Sequence, residues 1–402
     1  MDHVWVILFA LAATIVVYTY LIYPILLLAL HAGKTVADNI RYLITRRGRR
    51  IADRAGFPVE ELPTVSFLVA ARNEEEILSE KIQNFFDIDY PHDKMELLIG
   101  SDASSDNTVE IAKSCRDARV RVFDFEERSG KIGVLQKLVP EAQGDIVVLS
   151  DTNTFLRRPA LRMLIRPFAD PRVGAVCGEL RLEAPDGTLQ SEGAYWRYET
   201  ILKTLENSFG CVLGANGGNY AVRRSLFPEI AGDTIIEDFV IPLKIRGAGY
   251  KTPFEPEALA VERNPVDVTA EFRRRVRIGA GDAQSVSMIY PLLSPKHGML
   301  AFALWSHKIL RWLVPFALIV AVASNLALVD RPFFVVTLVL QLLLYVAAGV
   351  GWYRQVRGKP PGVVGLPLMF VLLNAALAVG YVQFFTGRHK VSWDRTKRVE
   401  IT

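Results

Sequence analysis

Three acidic sites follow one another along the chain, and their residue types could bind a ligand, bind a metal or transfer a proton. They are Asp102, the triplet Asp151-Thr152-Asn153 and the pair Glu237-Asp238. The first two come directly after short apolar runs, Met95–Gly100 and Asp145–Ser150. Side chains at the carboxyl ends of neighbouring parallel strands meet in one crevice, where open α/β sheets bind ligands. The sequence therefore predicts that these acids share a site.

Each acidic site could have a chemical role or a structural one. Asp102 could accept hydrogen bonds from a base or a ribose, or it could belong to a turn before a helix. Oxygen atoms of Asp151 and Asn153, two residues apart after a strand, could chelate Mg²⁺ or Mn²⁺. Asp238 could be a general base supported by Glu237, although acids also stabilise the start of a helix. The residue types alone leave both interpretations open.

The chain from about residue 63 to about residue 290 alternates between strand-like and helix-like patterns. The strand-like runs are Val65–Ala70, Met95–Gly100, Val120–Phe125 and Asp145–Ser150. The helix-like runs are Glu74–Phe86, Asn107–Ala118, Gly130–Ala142 and Phe239–Arg246. Strands that alternate with helices predict an α/β fold with a mostly parallel sheet. The acids that follow the strands are therefore expected at one edge of that sheet.

Apolar segments on both sides of this block predict that the chain is anchored in a membrane. Val4–Leu30 carries no charge and is longer than the roughly 20 residues that span hydrocarbon. It lacks the basic start and the cleavage site of a signal peptide, which indicates a retained anchor. Three candidate spans follow later: Trp312–Val329, Phe333–Gly351 and Val363–Phe385. The segment from Trp305 to Trp312 resembles an interfacial helix, and its His307 has no evident partner.

Basic residues directly after the first apolar segment indicate its orientation. The cluster is Arg41, Arg46, Arg47, Arg49, Arg50 and Arg54, opposed nearby only by Asp38 and Asp53. The positive-inside rule places this cluster, and the polar block after it, in the cytoplasm, and the cluster could also contact anionic membrane lipids. The net charge is only +4, so no nucleic acid is expected as a partner.

These features divide the chain into five predicted parts. They are an N-terminal anchor (1–33), a basic juxtamembrane segment (34–62), an α/β domain (63–290), an interfacial helix with the later spans (291–387) and a basic tail (388–402). Three later spans would place the tail outside, although its Lys and Arg residues are typical of the inside. Either one segment is re-entrant or the tail departs from the charge rule.

Further motifs accompany the acids, and the whole series resembles the family 2 glycosyltransferases of the GT-A fold. Ala71-Arg72-Asn73-Glu74-Glu75 is similar to the P-x-x-N-E-E start of that family, with Ala71 in place of Pro. The run Ser101–Asp106 is similar to its D-D-x-S-x-D nucleotide-binding segment. Gly130-Lys131, followed by Leu135-Gln136, resembles the G-K…A-L-N stretch.

The second half of the series resembles the same family. Asp151-Thr152-Asn153 takes the place of the D-x-D metal motif. Ala215–Arg224 is similar to the acceptor-side segment G-x-x-x-A-x-R-R, and Ile236-Glu237-Asp238 is similar to the E-D motif that carries the catalytic base. The motifs occur in the order that the family has.

The resemblance implies a cytoplasmic GT-A domain tethered by about four transmembrane helices in a cell membrane, expected to be a bacterial inner membrane. It implies inverting transfer of a sugar from a nucleoside diphosphate sugar, expected to be a UDP-sugar, to a membrane-associated lipid or glycan. A divalent cation, Mg²⁺ or Mn²⁺, is the cofactor that the resemblance implies.

The resemblance also assigns roles to residues. Asp238 would be the general base with Glu237 as its support, and Asp151 and Asn153 would bind the metal. The expected nucleotide contacts are Ala71, Arg72, Asn73, Glu74, Asp102, Lys131 and Asp151. Gly217 and Gly218 would face the acceptor. Arg275 and Arg277 could bind the diphosphate or equally well reach lipid headgroups, and Lys131 could instead be a solvated helix lysine.

Two departures from the family pattern affect the predicted activity. Asn153 replaces the second acid of the metal motif, which removes one negative charge. Arg274–Ile278 stands where processive synthases carry Q-x-x-R-W, so the indole that would stack on a sugar is missing. We therefore expect transfer of single sugars. The alternatives are a processive polysaccharide synthase coupled to export and a catalytically inactive nucleotide-sugar-binding assembly subunit.

Overall fold

A computed structural model of the chain describes residues 2–45, 57–58, 61–183, 194–263 and 268–388. Several predicted features lie outside these residues. They are Arg46, Arg47, Arg49, Arg50, Asp53 and Arg54 of the basic juxtamembrane segment, and residues 389–402 of the basic tail. The predicted orientation in the membrane consequently stays a prediction.

The described residues form thirteen α-helices, numbered in chain order. They are α1 (Asp2–Val17), α2 (Tyr23–Thr45), α3 (Leu78–Phe86), α4 (Thr108–Ser114), α5 (Gly130–Leu138), α6 (Ala160–Ile165), α7 (Ala194–Asn207), α8 (Glu237–Gly247), α9 (Val268–Ile289), α10 (Met299–Ala303), α11 (Leu310–Ala327), α12 (Pro332–Val356) and α13 (Gly365–Phe385). Two π-helical turns, Tyr18–Ile22 and Leu304–Ile309, join α1 to α2 and α10 to α11.

Eight strands of the described residues form one mixed sheet. They are β1 (Val65–Ala71), β2 (Met95–Asp102), β3 (Val120–Phe125), β4 (Ile146–Leu149), β5 (Thr154–Leu156), β6 (Ala175–Glu183), β7 (Tyr220–Arg223) and β8 (Phe254–Arg263). Their order in the sheet is β3-β2-β1-β4-β7-β6-β8-β5. The neighbours among β1 to β4 pair in parallel, whereas β7 runs antiparallel to both β4 and β6. The predicted α/β fold with a mostly parallel mixed sheet is confirmed.

The chain divides into two compact units. Among the described residues, the sheet unit comprises 34–45, 57–58, 61–183 and 206–263, and the helical unit comprises 2–33, 194–205 and 268–388. In the sheet unit, β1 and β4 are buried along their whole length. Strands that are covered on both faces read as continuous apolar runs, which explains why the sequence shows them so clearly.

The four predicted strands are present with small changes at their ends, but three of the helices differ more. The predicted helix Asn107–Ala118 ends at Ser114, since Cys115 after it has an extended backbone. The predicted helix Glu74–Phe86 begins only at Leu78, because the residues before it form a loop bonded to the loop after β2. The predicted helix Gly130–Ala142 ends as an α-helix at Leu138. Pro140 then follows in a 3₁₀ turn, since proline cannot donate the backbone hydrogen bond that an α-helix needs.

In the part of the chain that the structure describes, four helical segments are long and apolar enough to cross a membrane. They are Asp2–Thr45, Met299–Ala327, Pro332–Val356 and Gly362–Phe385. Within the helical unit, α1 packs against α11, and α9 packs along α13. The predicted interfacial segment, Trp305–Trp312, lies within the second of these segments and is continuous with α11 through the second π-turn.

A polar cluster lies inside the helical unit. Arg311 Nη1 is 2.5 Å from Glu199 Oε1, and His307 Nε2 is 3.5 Å from Glu199 Oε2. Glu199 on α7 is thus the partner of His307 that the sequence did not reveal. Burial opposes ionisation of Glu199, but Arg311 and His307 outweigh it and hold the pKa of this carboxyl well below its usual value.

The side chain of Asn219 bonds to β6 and β8 near a shift in the register of their pairing. The pairing of β6 with β8 shifts its register between Gly178 and Glu179. Asn219, which is fully buried, donates from Nδ2 to the carbonyl oxygens of Glu179 at 2.9 Å and Ala258 at 2.8 Å. Its amide therefore satisfies carbonyl groups that the shifted ladder leaves available.

We expect Asn219→Ala to lower the free energy of unfolding by about 2 kcal/mol or more, because two buried carbonyl groups lose a donor. Thermal unfolding of the purified full-length protein measures the effect. Asn107→Ala is the matched control, since Asn107 is exposed and its amide contacts Glu75 at the surface. Equal melting temperatures for the two variants would contradict this role of Asn219.

Candidate active site

The loops that follow β1 and β2 are bonded to each other. Asn73 Oδ1 accepts from the backbone N–H of Ser105 at 2.8 Å, and the N–H of Glu74 donates to Thr108 Oγ1 at 2.8 Å. Arg72 Nη1 donates to the carbonyl oxygen of Asp102 at 3.1 Å. The structure therefore brings two of the predicted nucleotide-binding segments together at the carboxyl edge of the sheet. Ala71 is the buried last residue of β1.

Asp102 fixes the start of α5. Its side chain is fully buried, and its carboxylate accepts from the backbone N–H of Ser129 at 2.7 Å and of Gly130 at 3.1 Å. A carboxylate at this place satisfies free backbone donors and favours the positive end of the helix. The predicted contact of Asp102 with a nucleoside stays a prediction. Asp102 does fix the backbone directly before Lys131, and therefore the position from which the Lys131 side chain extends.

Lys131 connects two of the predicted site acids. Its Nζ is 2.7 Å from Asp151 Oδ1, 2.5 Å from Glu237 Oε1 and 3.3 Å from the carbonyl oxygen of Gly217. Burial alone would lower the pKa of Lys131, but Asp151 and Glu237 outweigh it and raise that pKa above its usual value. The ammonium group is therefore firmly charged, and it joins the turn after β4 to the start of α8.

The carboxylates of Asp151 and Asp238 converge on Gly217. A Cβ atom at Gly217 would lie 3.2 Å from Asp238 Oδ2 and 3.8 Å from Asp151 Oδ2. Asp238 is half-buried in the first turn of α8, whereas the neighbouring Glu237 is buried. Glycine leaves open the space in which a metal-binding carboxylate and a general base could act on one substrate.

The predicted metal ligands are only partly arranged for a cation. Asn153 Nδ2 donates to Glu262 Oε1 on β8 at 3.3 Å, and Asp151 contacts Lys131. Among the described residues, no group of three or more His, Cys, Asp or Glu residues is arranged to hold a metal. Asp151 and Asn153 do offer the hard oxygen donors that Mg²⁺ and Mn²⁺ prefer, and phosphate oxygens commonly complete such sites. The residues therefore fit a cation that binds together with a diphosphate.

Lys81 is a site residue that the sequence reasoning missed. It is buried on α3, and its Nζ donates to Ser150 Oγ at 2.6 Å and to the carbonyl oxygen of Thr154. These two acceptors flank the Asp151–Asn153 turn on both sides. A signal was present in the sequence, because Leu78, Lys81, Ile82 and Phe85 have the spacing of one buried helix face.

Tyr220 on β7 is a second missed residue. Its hydroxyl is fully buried and has no hydrogen-bond partner among the residues that the structure describes. Burial raises the pKa of Tyr220 well above its usual value, and Glu237, Asp238 and Asp151 raise it further. A buried polar group without a partner is unfavourable for stability, and such groups are concentrated at functional sites.

Two further predicted site residues belong to the helical unit. Arg275 and Arg277 lie on α9, and Arg275 Nε pairs with Glu271 Oε1 at 2.6 Å. Their proposed contact with a diphosphate stays a prediction. Gly218 lies in the sheet unit, where a Cβ atom would meet the hydroxyl of Thr154.

Sequence comparisons find relatives of the region that carries the candidate site. Residues 66–230 match the family model described as Glycosyl transferase family 2. A poly-beta-1,6-N-acetyl-D-glucosamine synthase of Staphylococcus aureus (strain COL) is 27% identical over 255 residues, which are 61% of this chain and 61% of that protein. The probable glycosyltransferase YdaM of Bacillus subtilis (strain 168) is 25% identical over 251 residues, 56% of each chain. The matches thus span less than two thirds of these relatives.

A solved structure shares the fold over most of the chain. The mannosyltransferase PcManGT from Pyrobaculum calidifontis, in complex with GDP-Man and Mn²⁺, superposes with a TM-score of 0.66 at 22% identity. The superposition covers 91% of this chain and 99% of that one. The fold is therefore GT-A, and the described residues also include four candidate transmembrane helices. The region that matches the Glycosyl transferase family 2 model, residues 66–230, contains every predicted motif except Ile236-Glu237-Asp238.

Titration of Lys81 should make stability depend on pH. Burial lowers the pKa of Lys81 from 10.5 to about 7, although Asp151 acts in the opposite direction. Between these values the unfolded chain binds the proton that the folded chain has lost. Stability should therefore rise from about pH 7 to about pH 10.5, by up to about 1.4 kcal/mol per pH unit.

Lys81→Met removes this titration. As the pH rises through this window, the melting temperature of the unchanged protein should therefore increase relative to that of the variant. Thermal unfolding of both proteins at a series of pH values measures the difference. Lys113→Met is the control, because Lys113 is exposed on α4. A difference that stays constant with pH would contradict the lowered pKa.

Proposed function

We propose that the protein transfers a sugar from a nucleoside diphosphate sugar to a hydroxyl or phosphate of a membrane-associated acceptor, with inversion at the anomeric carbon. The acceptor would be a polyprenyl phosphate, another glycolipid or a growing glycan at the cytoplasmic face. The observation that supports this proposal is the convergence of Asp151 and Asp238 on Gly217. Asp151 is the proposed metal ligand and Asp238 the proposed base, and both carboxylates face the space beside this glycine.

Asp238 is the proposed general base. It is half-buried, so a substrate can reach it, and Glu237 beside it is held by Lys131. When the acceptor is a hydroxyl, Asp238 would take its proton as the oxygen attacks an anomeric carbon with oxocarbenium character and the bond from that carbon to the diphosphate breaks. Because Glu237 is buried and paired with an ammonium group, it is suited to orient the start of α8 rather than to accept the proton.

The opposite side of the proposed reaction centre must accommodate the departing diphosphate. A divalent cation at Asp151 and Asn153 would neutralise its charge, and PcManGT was solved with Mn²⁺. Arg72, Asn73 and Glu74 lie on the bonded loops beside this edge and would contact the nucleoside. Arg275 and Arg277 would add guanidinium donors to the phosphate oxygens.

Release of nucleoside diphosphate tests the proposed activity. Native membranes that contain the full chain are incubated with UDP-glucose, UDP-N-acetylglucosamine or GDP-mannose, with and without Mn²⁺ or Mg²⁺. We expect release from one donor that depends on a divalent cation, with UDP-sugars favoured. Absence of release from every donor would reject the transferase and favour the inactive assembly subunit.

Asp238→Asn should reduce the turnover rate by about 10²–10⁴-fold, because the amide cannot take up the acceptor proton. Its melting temperature should stay close to that of the unchanged protein. Glu110→Gln, at an exposed carboxylate on α4, is the control and should retain full activity. Transfer that survives Asp238→Asn would show that another group is the base.

A second candidate function is processive synthesis of a polysaccharide. It is favoured by the Staphylococcus aureus relative, whose name describes a poly-beta-1,6-N-acetyl-D-glucosamine synthase. Against it stands Ile278 on α9, at the place where processive enzymes of the resembled family have tryptophan. Product length under excess donor separates the two functions: single-sugar transfer gives one added residue per acceptor, whereas a ladder of long products would establish the synthase.

A further inference from the structure

Lys131 has a complete set of partners at the place where a cation would bind. An ammonium group has three N–H donors and no acceptor. Asp151 Oδ1, Glu237 Oε1 and the carbonyl oxygen of Gly217 lie within 3.3 Å of Nζ and supply three acceptors. The ammonium therefore already provides the charge compensation that Asp151 and Glu237 need.

A divalent cation at Asp151 would compete with this arrangement. The Asp151 oxygen that contacts Lys131 cannot serve a cation at full strength while the ammonium stays, and the two positive charges would repel each other at close range. Asn153 adds no negative charge to oppose that repulsion, and its amide nitrogen is bonded to Glu262. The turn after β4 is thus held in a form that favours lysine over a metal ion.

We propose that Lys131 is a displaceable counter-ion, which occupies the cation site until a diphosphate draws its ammonium away. Nucleotide and divalent cation would then bind as one unit, and neither would bind tightly alone. This inference rests on the proposed function, and it adds a binding order to the site: the diphosphate must be present before the acids are released to the cation.

The ammonium group of Lys131 can move in this way, whereas its backbone is held in place. The backbone at the start of α5 is fixed by Asp102, which is itself buried. The four-carbon stem is flexible, and a lysine ammonium binds phosphate as a point charge with little directional demand. Charge also balances, because the two or more negative charges of a diphosphate accompany the two positive charges of the cation.

Binding of Mn²⁺ to the purified full-length protein tests the proposal without any turnover. Electron paramagnetic resonance of free Mn²⁺ gives the dissociation constant in the absence of nucleotide, with saturating UDP and with saturating GDP. For the unchanged protein we expect weak binding of Mn²⁺ alone and much tighter binding with one of the nucleotides. This coupling is reciprocal, so Mn²⁺ should increase the affinity of the protein for that nucleotide by the same factor.

Lys131→Met should bind Mn²⁺ alone at least about tenfold more tightly than the unchanged protein, because the competing charge is gone. Its coupling between Mn²⁺ and nucleotide should be correspondingly smaller. Lys131→Arg keeps the charge and should keep the weak binding of Mn²⁺ alone. Lys113→Met, at an exposed lysine of α4, should behave like the unchanged protein.

Mn²⁺ affinity that is the same in Lys131→Met and the unchanged protein would overturn the proposal. If Lys131→Met does not fold, as judged by its thermal unfolding, Lys131→Gln supplies the same comparison with an uncharged polar group. The proposed function can fail separately: a protein that binds neither UDP nor GDP, but whose Lys131→Met variant gains affinity for Mn²⁺, has the counter-ion without the nucleotide site.

Discussion

Like charges gathered at one edge of the sheet must be neutralised, and Lys131 does this while Lys81 holds the neighbouring turn. Asp151, Glu237 and Asp238 all raise the pKa of Lys131 against the effect of burial. Asp151 also acts to raise the pKa of Lys81, where burial nevertheless prevails. Lys131 joins the turn after β4 to the start of α8, whereas Lys81 holds both flanks of the same turn from α3. The two lysines thus connect α3, α5 and α8 to the turn after β4. Without them the acids would repel one another or lose their protons only at higher pH.

Loop chemistry completes what these ion pairs begin. The segments after β1 and β2 are bonded through side chains to backbone, and two of their residues, Asn73 and Ala103, have positive φ angles of 53° and 52°. Ala103 is held there although alanine seldom adopts this conformation, with its N–H donating to the carbonyl oxygen of Phe125. A surface that is rigid before a ligand arrives loses less freedom on binding. The edge of the sheet is therefore ordered in advance wherever the nucleotide is proposed to lie.

The sequence predicts the first half of the fold well because its signals are local. Strands β1 to β4 are apolar runs, and the motifs follow them directly. The residues that the sequence left unexplained have partners far away along the chain: Lys81 contacts Ser150, Asn153 contacts Glu262, and His307 contacts Glu199. The short strands β5 and β7 and the register shift in β6 have no periodic pattern long enough to recognise. Pairwise contacts of this kind depend on the finished fold, and spacing alone cannot supply them.

The two π-turns of the helical unit change the direction in which the side chains after them point. A π-turn contains one residue more than an α-turn, which rotates all later side chains by about 100° around the axis. The turn at Leu304–Ile309 comes just before Arg311, and the turn at Tyr18–Ile22 contains Thr19, whose carbonyl oxygen accepts from the Tyr198 hydroxyl at 3.4 Å. Deletion of one residue there would restore a regular helix but turn Arg311 away from Glu199. The extra residues therefore act as phase shifts, which let two mostly apolar helices each present a polar group to α7, where Glu199 and Tyr198 lie.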